Sequence, residues 1–362
     1  MHLATLRLRD FRNYRRLDMK FEPGFHLLLG KNAQGKTNIL ESIYLLATLR
    51  SFRGVGAAQM IRQGQKGFFV GAEIIGSQSD TIKYYWSMRE RKLTLNQDPV
   101  KRLSDFFGTL RAVVFCTEDL QLVKGAPRIR RRFMDLLLAQ TQPTYLQYLQ
   151  QYAKVLRSRN ALLKQHRPDL RVLDSFSREL VKYGQALIDA RRQLIPKLSP
   201  LARLAYRRIS ADAEELMMVY KPTVQSDFAE ELKKNMDRDR QYRSTLIGPH
   251  RDDLSLKLND NLASQFGSEG QKRTLALALK MAQAEYLTGI VGYPPVLLID
   301  DVMGELDRER RSGLLPLLER AHHAKGQVFM TCTEENWPRE LGRRLTRWQV
   351  SQGQVQWHES QK

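Results

Sequence analysis

The run Gly30-Lys31-Asn32-Ala33-Gln34-Gly35-Lys36-Thr37 satisfies G-x-x-x-x-G-K-[ST] at every position. It stands between the apolar Phe25-His26-Leu27-Leu28-Leu29 and the helix-like Asn38-Ile39-Leu40-Glu41-Ser42-Ile43-Tyr44-Leu45-Leu46. No other feature limits the fold as much, because a phosphate cradle of this kind needs a strand before it and a helix after it. The glycines let the backbone wrap closely around a triphosphate with its N–H groups turned inward. The helix adds unpaired amides and a positive dipole end. Gly30 through Asn38 are therefore candidate ATP-binding residues, with Lys36 directed to the β- and γ-phosphates and the Thr37 hydroxyl to Mg²⁺.

A length of 362 residues predicts two substructures with ample material for a core. Against 39 Asp and Glu stand 59 Lys and Arg, a net charge of +20, so a polyanionic partner is expected: nucleic acid first, an acidic membrane surface second. No uninterrupted apolar stretch could span a bilayer, and Met1-His2-Leu3-Ala4-Thr5-Leu6-Arg7 lacks a signal-peptide core, which predicts a cytoplasmic protein without membrane attachment. Cys116 and Cys332 have no neighbours at metal-ligand spacing, so neither a disulfide framework nor a zinc site is suggested.

Strand-like alternation marks Leu6–Arg9 and Leu17–Phe21, with further meander strands at Thr81–Trp86 and Lys92–Asn96 and a short apolar strand at Ala112–Phe115. From about Pro127 the period becomes helical. Tyr145, Leu149, Tyr152 and Leu156 draw one stripe and Leu173, Phe176, Leu180, Tyr183 and Leu187 a second, while Ser199-Pro200 reads as the opening of another helix. Residues 1–125 and 245–362 are thus assigned to an α/β head and 126–244 to a compact helical arm. Between Gln150 and Ser210 there are 14 Lys or Arg against 4 Asp or Glu, a net of +10. A face for backbone phosphates follows, with Arg157, Arg159, Lys164, Arg191, Arg192, Arg207 and Arg208 as candidate DNA contacts and little sequence specificity. The run Arg128, Arg130, Arg131, Arg132 either meets DNA or caps the helix that carries Phe133.

Beyond the arm, Val296-Leu297-Leu298-Ile299-Asp300-Asp301 is an apolar strand ending in two carboxylates, the form of a Walker B element. Asp300 suits Mg²⁺ and Asp301 suits polarising the attacking water. Upstream, Ser268-Glu269-Gly270-Gln271 opens a clear helix. Ser268, Gly270 and Gln271 form a second anion site for ATP held by another subunit, or Ser268 and Gln271 form a simple capping box.

Ser268–Gln271 resembles the S-x-G-Q core of the ABC signature, and Gly304-Glu305-Leu306-Asp307 resembles a D-loop. The chain as a whole resembles the RecF family of bacterial recombination-repair ATPases, related to SMC heads. The resemblance is carried by Asp10-Phe11-Arg12-Asn13-Tyr14, Gly30–Glu41, Glu118-Asp119-Leu120, Val123-Lys124-Gly125, Arg131–Asp135, Thr245–Asp253, Gly267–Thr274 and Leu298–Asp307. It implies an ABC-type, SMC-head-like P-loop ATPase with an inserted arm. It further implies a weak, DNA-stimulated ATPase that dimerises on ATP, binds gapped or double-stranded and single-stranded DNA, and helps RecO and RecR place RecA at gaps in repair, replication-fork maintenance and the SOS response. In such a dimer Lys36 and Thr37 of one subunit face Ser268 of the other. Arg12 and Asn13 fall where these heads contact nucleotide, and Glu118 falls near the Q-loop position, as a Mg²⁺ sensor. Three departures are Glu269 at the first signature glycine, Gly304 at the D-loop start and Asp301 in place of glutamate. His250-Arg251-Asp252-Asp253 either touches nucleotide or metal or forms a structural turn. Two rivals are a transporter ATPase subunit and a structural SMC head. The first would carry a switch histidine where Thr331-Cys332-Thr333 stands, and the second would need a long coiled coil.

Overall fold

Alternating apolar and polar residues along His2–Phe11 (β1) and Tyr14–Lys20 (β2) give each strand one core face and one solvated face. The two pair antiparallel, with Leu6 opposite Met19 and Leu8 opposite Leu17. The computed structural model describes residues 1–210, 214–333 and 345–358. It divides the chain into two compact units, Met1–Leu120 with Leu204–Ala213 and Arg273–Lys362, and Gln121–Arg203 with Glu214–Lys272.

The first unit holds two sheets. Strands Gly67–Ile75 (β4), Ser79–Ser87 (β5), Arg91–Leu95 (β6) and Asp98–Pro99 (β7) extend the first hairpin in the order β2-β1-β4-β5-β6-β7, antiparallel throughout. The other sheet is built from Gly24–Leu29 (β3), Ala112–Phe115 (β8), Val296–Asp300 (β12), Gln327–Cys332 (β13), Leu345–Ser351 (β14) and Gln354–His358 (β15), in the order β15-β14-β3-β13-β12-β8. All its pairs are parallel except β14 with β15. Val296–Ile299 of β12 and Val328–Met330 of β13 are continuous apolar, buried runs, as expected where both faces are covered. Helices Lys36–Thr48 (α1), Val302–Glu305 (α10) and Arg308–His323 (α11) follow β3, β12 and the D-loop-like segment. Buried Gln327 ties the two sheets together: its Oε1 accepts from the Leu3 N–H at 2.7 Å and its Nε2 donates to the Leu3 carbonyl at 2.8 Å.

The second unit contains Gln121–Lys124 (α2), Pro127–Thr141 (α3), Pro143–Leu163 (α4) and Leu170–Ile209 (α5) as far as Arg203. Strands Leu216–Lys221 (β9), Asp253–Leu258 (β10) and Asn261–Leu262 (β11) form a small antiparallel sheet in the order β11-β10-β9. Short helices Phe228–Lys234 (α6), Met236–Tyr242 (α7) and Ala263–Phe266 (α8) fill the remainder, and the long helix Glu269–Val291 (α9) starts here before continuing in the first unit.

Two features differ from the sequence expectation. No helix begins at Ser199-Pro200, because α5 runs unbroken through Pro196 and Pro200. Leu194, Leu198, Ala202, Ala205 and Ile209 continue one buried stripe past both prolines, and that packing outweighs the lost backbone hydrogen bonds. The second unit also does not end near residue 244. Pairing of β9 with β10 keeps residues 245–272 in it, and residues 204–213 belong with the first unit.

Candidate nucleotide-binding site

At the end of β3 the chain turns through Gly30 (φ +154°) and Gly35 (φ +114°) before α1 begins at Lys36. A Cβ at Gly30 would lie 2.2 Å from the Val350 carbonyl oxygen, which is fixed backbone. One at Gly35 would lie 2.5 Å from Asn13 Nδ2 and 2.8 Å from the Tyr14 hydroxyl. Glycine is therefore required at both positions. Lys36 Nζ donates to the carbonyls of Gly30 at 2.6 Å and Lys31 at 2.9 Å, which holds the cation inside the loop. Burial pushes its pKa down, while the charges of Asp301 and Asp300 pull it up.

The Walker B strand β12 delivers its first carboxylate to the first helical turn. The Thr37 hydroxyl donates to Asp300 Oδ1 at 2.7 Å, and the Thr331 hydroxyl, from the end of β13, donates to the same oxygen at 3.0 Å. Burial raises the Asp300 pKa against these two hydrogen bonds. An octahedral Mg²⁺ with ligands at 2.0–2.1 Å needs adjacent oxygens about 3 Å apart, so Thr37 Oγ1 and Asp300 Oδ1 fit as neighbouring ligands. Asp301 adopts φ +57°, its N–H donates to Thr331 Oγ1 at 2.9 Å, and its side chain is exposed. Glu118 lies in the turn after β8 and is exposed, and its charge raises the Asp300 pKa.

Arg12 and Asn13 sit beneath the loop. The Arg12 guanidinium forms a two-pronged ion pair with buried Glu41, at 2.7 Å on each side, and donates to the Gln59 carbonyl. Asn13 Nδ2 donates to the Gln34 carbonyl at 2.9 Å and its Oδ1 accepts from Asn38 at 2.8 Å. Asn13 thus braces the phosphate loop directly, whereas Arg12 is tied to α1 through Glu41. The β14–β15 turn braces the loop from the other side, with the Gln352 N–H donating to Gln34 Oε1 at 2.7 Å. Asn32 and Ala33 form the loop's crest, Ala33 at φ +64°.

In the second unit Ser268 and Gln271 make the reciprocal capping box. The Gln271 N–H donates to Ser268 Oγ at 3.1 Å and the Ser268 N–H to Gln271 Oε1 at 2.6 Å, which opens α9 with Gly270 in its first turn. His250 is held by Tyr152 at 2.7 Å and the Thr245 carbonyl at 3.0 Å. Asp252 accepts from Tyr220 and Thr223, and Asp253 pairs with Arg130. This tetrapeptide is a structural turn, and Arg130 and Arg131 belong to it, Arg131 donating to the Asp252 carbonyl.

Two candidate DNA contacts are corrected. Arg159 is fully buried and bonds Asp239 at 2.7 Å, Thr245 and Ser177. Arg191 is 2% exposed and bonds Asp135 and the Pro249 carbonyl, both at 2.7 Å. Each is an internal counter-ion that phosphate could reach only if the unit opened. Arg157, Lys164, Arg192, Arg207 and Arg208 are exposed, Arg207 and Arg208 within the first unit. The sequence reading missed Thr331, Glu41 and Arg53. Arg53 is exposed, donates to Asn38 Oδ1 at 3.2 Å and lowers the Asp300 pKa by its charge. Thr331 occupies the position at which a transporter ATPase would carry a switch histidine, its one signal in the sequence.

A parallel sheet with a phosphate loop after one strand and paired carboxylates after another defines a P-loop nucleotide-binding head of the SMC type. The chain matches the RecF/RecN/SMC N-terminal domain family over residues 2–356. It is 40% identical over 356 residues to the DNA replication and repair protein RecF of Natranaerobius thermophilus, covering 92% of this chain and 91% of that one. Against RecF of Lactobacillus johnsonii it is 40% identical over 351 residues, covering 92% and 93%. A solved structure of the recombination mediator protein RecF-ATP in the RecFOR pathway is similar with a TM-score of 0.89 at 29% identity, covering 99% of this chain and 97% of that one. An SMC head domain from Pyrococcus furiosus, at TM-score 0.58 and 14% identity, covering 99% and 96%, shares the fold. The chain belongs to the RecF family of DNA replication and repair proteins.

Proposed function

We propose that the chain is an ATP-gated DNA-binding protein of recombinational repair that dimerises around two ATP molecules and releases DNA after slow hydrolysis. The observation that supports its nucleotide part is the 2.7 Å approach of Thr37 to Asp300, which brings Walker A to Walker B; the repair and DNA part is supported by the RecF relatives and the net charge of +20. On this reading Lys36 exchanges the carbonyls of Gly30 and Lys31 for the β- and γ-phosphates. Thr37 and, usually through water, Asp300 would hold Mg²⁺, which when bound would supply neutralisation of phosphate charge. Asp301 polarises the attacking water, Arg12 and Asn13 contact the nucleotide, Asn13 also bonding the loop at the Gln34 carbonyl, and Glu118 senses the metal site. Ser268, Gly270 and Gln271 face ATP held by a second copy; the capping box they form also presets the helix N-terminus for an anion. ATP shifts the monomer–dimer equilibrium only by the contacts it adds in the closed state.

DNA, and RecO, RecR and RecA, are the expected partners, in the cytoplasm. No described helix is long and apolar enough to cross a membrane. The RecF relatives and the Thr331-Cys332-Thr333 segment both weigh against a transporter subunit. Asp301→Asn should bind ATP without turning it over. Sedimentation of that variant should show a dimer in ATP and a monomer in ADP, and a species that stays monomeric in ATP at micromolar protein sinks the shared-site reading.

A further inference from the structure

The antiparallel sheet of the first unit turns one face to the core and the other to solvent, and the solvated face has an unusual composition. Register places Arg9, Phe69, Tyr85 and Lys92 in one cross-strand row and Arg7, Gly71, Lys83 and Thr94 in the next. Phe69 and Tyr85 are direct cross-strand partners. A Cβ at Gly71 would lie 2.8 Å from Phe69 Cζ, so the absence of a side chain there lets the ring lie flat over the backbone. Gly67 does the same for Tyr85, whose hydroxyl would be 3.0 Å from a Cβ there. Beside the rings runs a groove of about 490 Å³, floored by Gly71 and Ala72 and walled by Arg7 and Lys83. Three acids lie on or beside the face: Glu90 pairs with Lys92 at 2.7 Å, which leaves Arg7 and Lys83 as the cations beside the groove. Asp18 is taken up by Arg9 and Arg16, and Glu73 lies at the far end of the groove from the rings.

Flat aromatic rings flush with a sheet and flanked by exposed cations suit unpaired nucleobases, whose faces are free to stack, with the phosphates running along the cations. A duplex keeps its base faces buried in its own stack and presents only its phosphates. We propose that this outer sheet face binds single-stranded DNA, bases on Phe69 and Tyr85 and phosphates on Arg7 and Lys83. The inference rests on the reading of the chain as a DNA-binding protein and adds a second surface, separate from the basic helices.

The test uses the full chain and fluorescence anisotropy with labelled oligothymidine and, separately, a blunt hairpin duplex across a salt series. Replacing Phe69 and Tyr85 together by Leu should weaken oligothymidine binding about tenfold or more and leave duplex binding unchanged. Arg7→Gln with Lys83→Gln, both exposed and outside the core, should lower the single-strand salt slope by about 1.4. This pair carries the test if the leucine pair fails to fold, and Tyr85→Phe should retain binding. Unchanged oligothymidine affinity in both pairs, or equal loss on duplex, overturns the platform. Wild-type protein that binds neither probe overturns the DNA-binding reading itself, whereas single-strand binding lost only in Arg157→Glu with Lys164→Glu overturns the platform alone.

Discussion

His26 is 1% exposed within β3, and its two ring nitrogens are both engaged. Nε2 meets the Glu22 carbonyl at 2.7 Å and Nδ1 meets the Trp348 indole N–H at 3.3 Å. Because an indole nitrogen only donates and a carbonyl only accepts, the ring is neutral with its proton on Nε2. Burial pushes its pKa down to about 4, and burial does the same for His250. The unfolded chain takes up these protons near pH 6.5 and the folded chain does not, so the stabilisation is complete above pH 6.5 and is lost as pH falls toward 4. Each histidine should contribute about 1.4 kcal/mol per pH unit in that window, on the order of 3 kcal/mol in all. Urea unfolding followed from pH 7 to pH 4 should show this slope, and His26→Gln, which keeps polar partners but does not titrate, should remove about half of it. An unchanged slope would place the proton uptake elsewhere.

Among the elements, β1 and β13 are joined by the side chain of Gln327. Gln327 supplies the Leu3 N–H and carbonyl with the bonds a neighbouring strand would give. Gln327→Leu keeps the volume but leaves both groups buried and unpaired, so we expect a loss of about 3 kcal/mol, read as a lower urea midpoint. The strands that carry the site were legible in the sequence because β3 and β12 are apolar runs closed by distinctive residues, Gly30 in one and Asp300-Asp301 in the other. The phosphate loop, Walker B and the cap at Ser268 were legible for the same reason: each is a local pattern. What escaped the sequence depends on distant partners. Nothing near Arg159 or Arg191 announces Asp239, 80 residues away in the chain, or Asp135, 56 away. Helix α5 reads as broken at Pro200 because proline is a local signal, whereas the stripe that carries it through is tertiary.

For the molecule as a whole, a charge of +20 is spread over faces that the fold sorts into internal and external. With Arg159 and Arg191 internal, the external arm cations include Arg157, Lys164 and Arg192. Each cation that meets a duplex phosphate adds about 0.9 to the slope of log affinity against log salt. Neutralising Arg157 and Lys164 together should lower that slope by about 2 on duplex DNA, measured by gel shift, and a slope that does not move would take those residues off the contact surface. The order of synthesis adds a consequence. Strand β3, which launches the phosphate loop, is bracketed by β13 and β14, and the loop leans on Gln352. At about 5–20 residues per second, the ribosome delivers those neighbours roughly 15–60 s after the loop has emerged. A nascent chain therefore carries the loop's sequence long before it has the loop's shape, and nucleotide capture is deferred until β13 and β14 have been made.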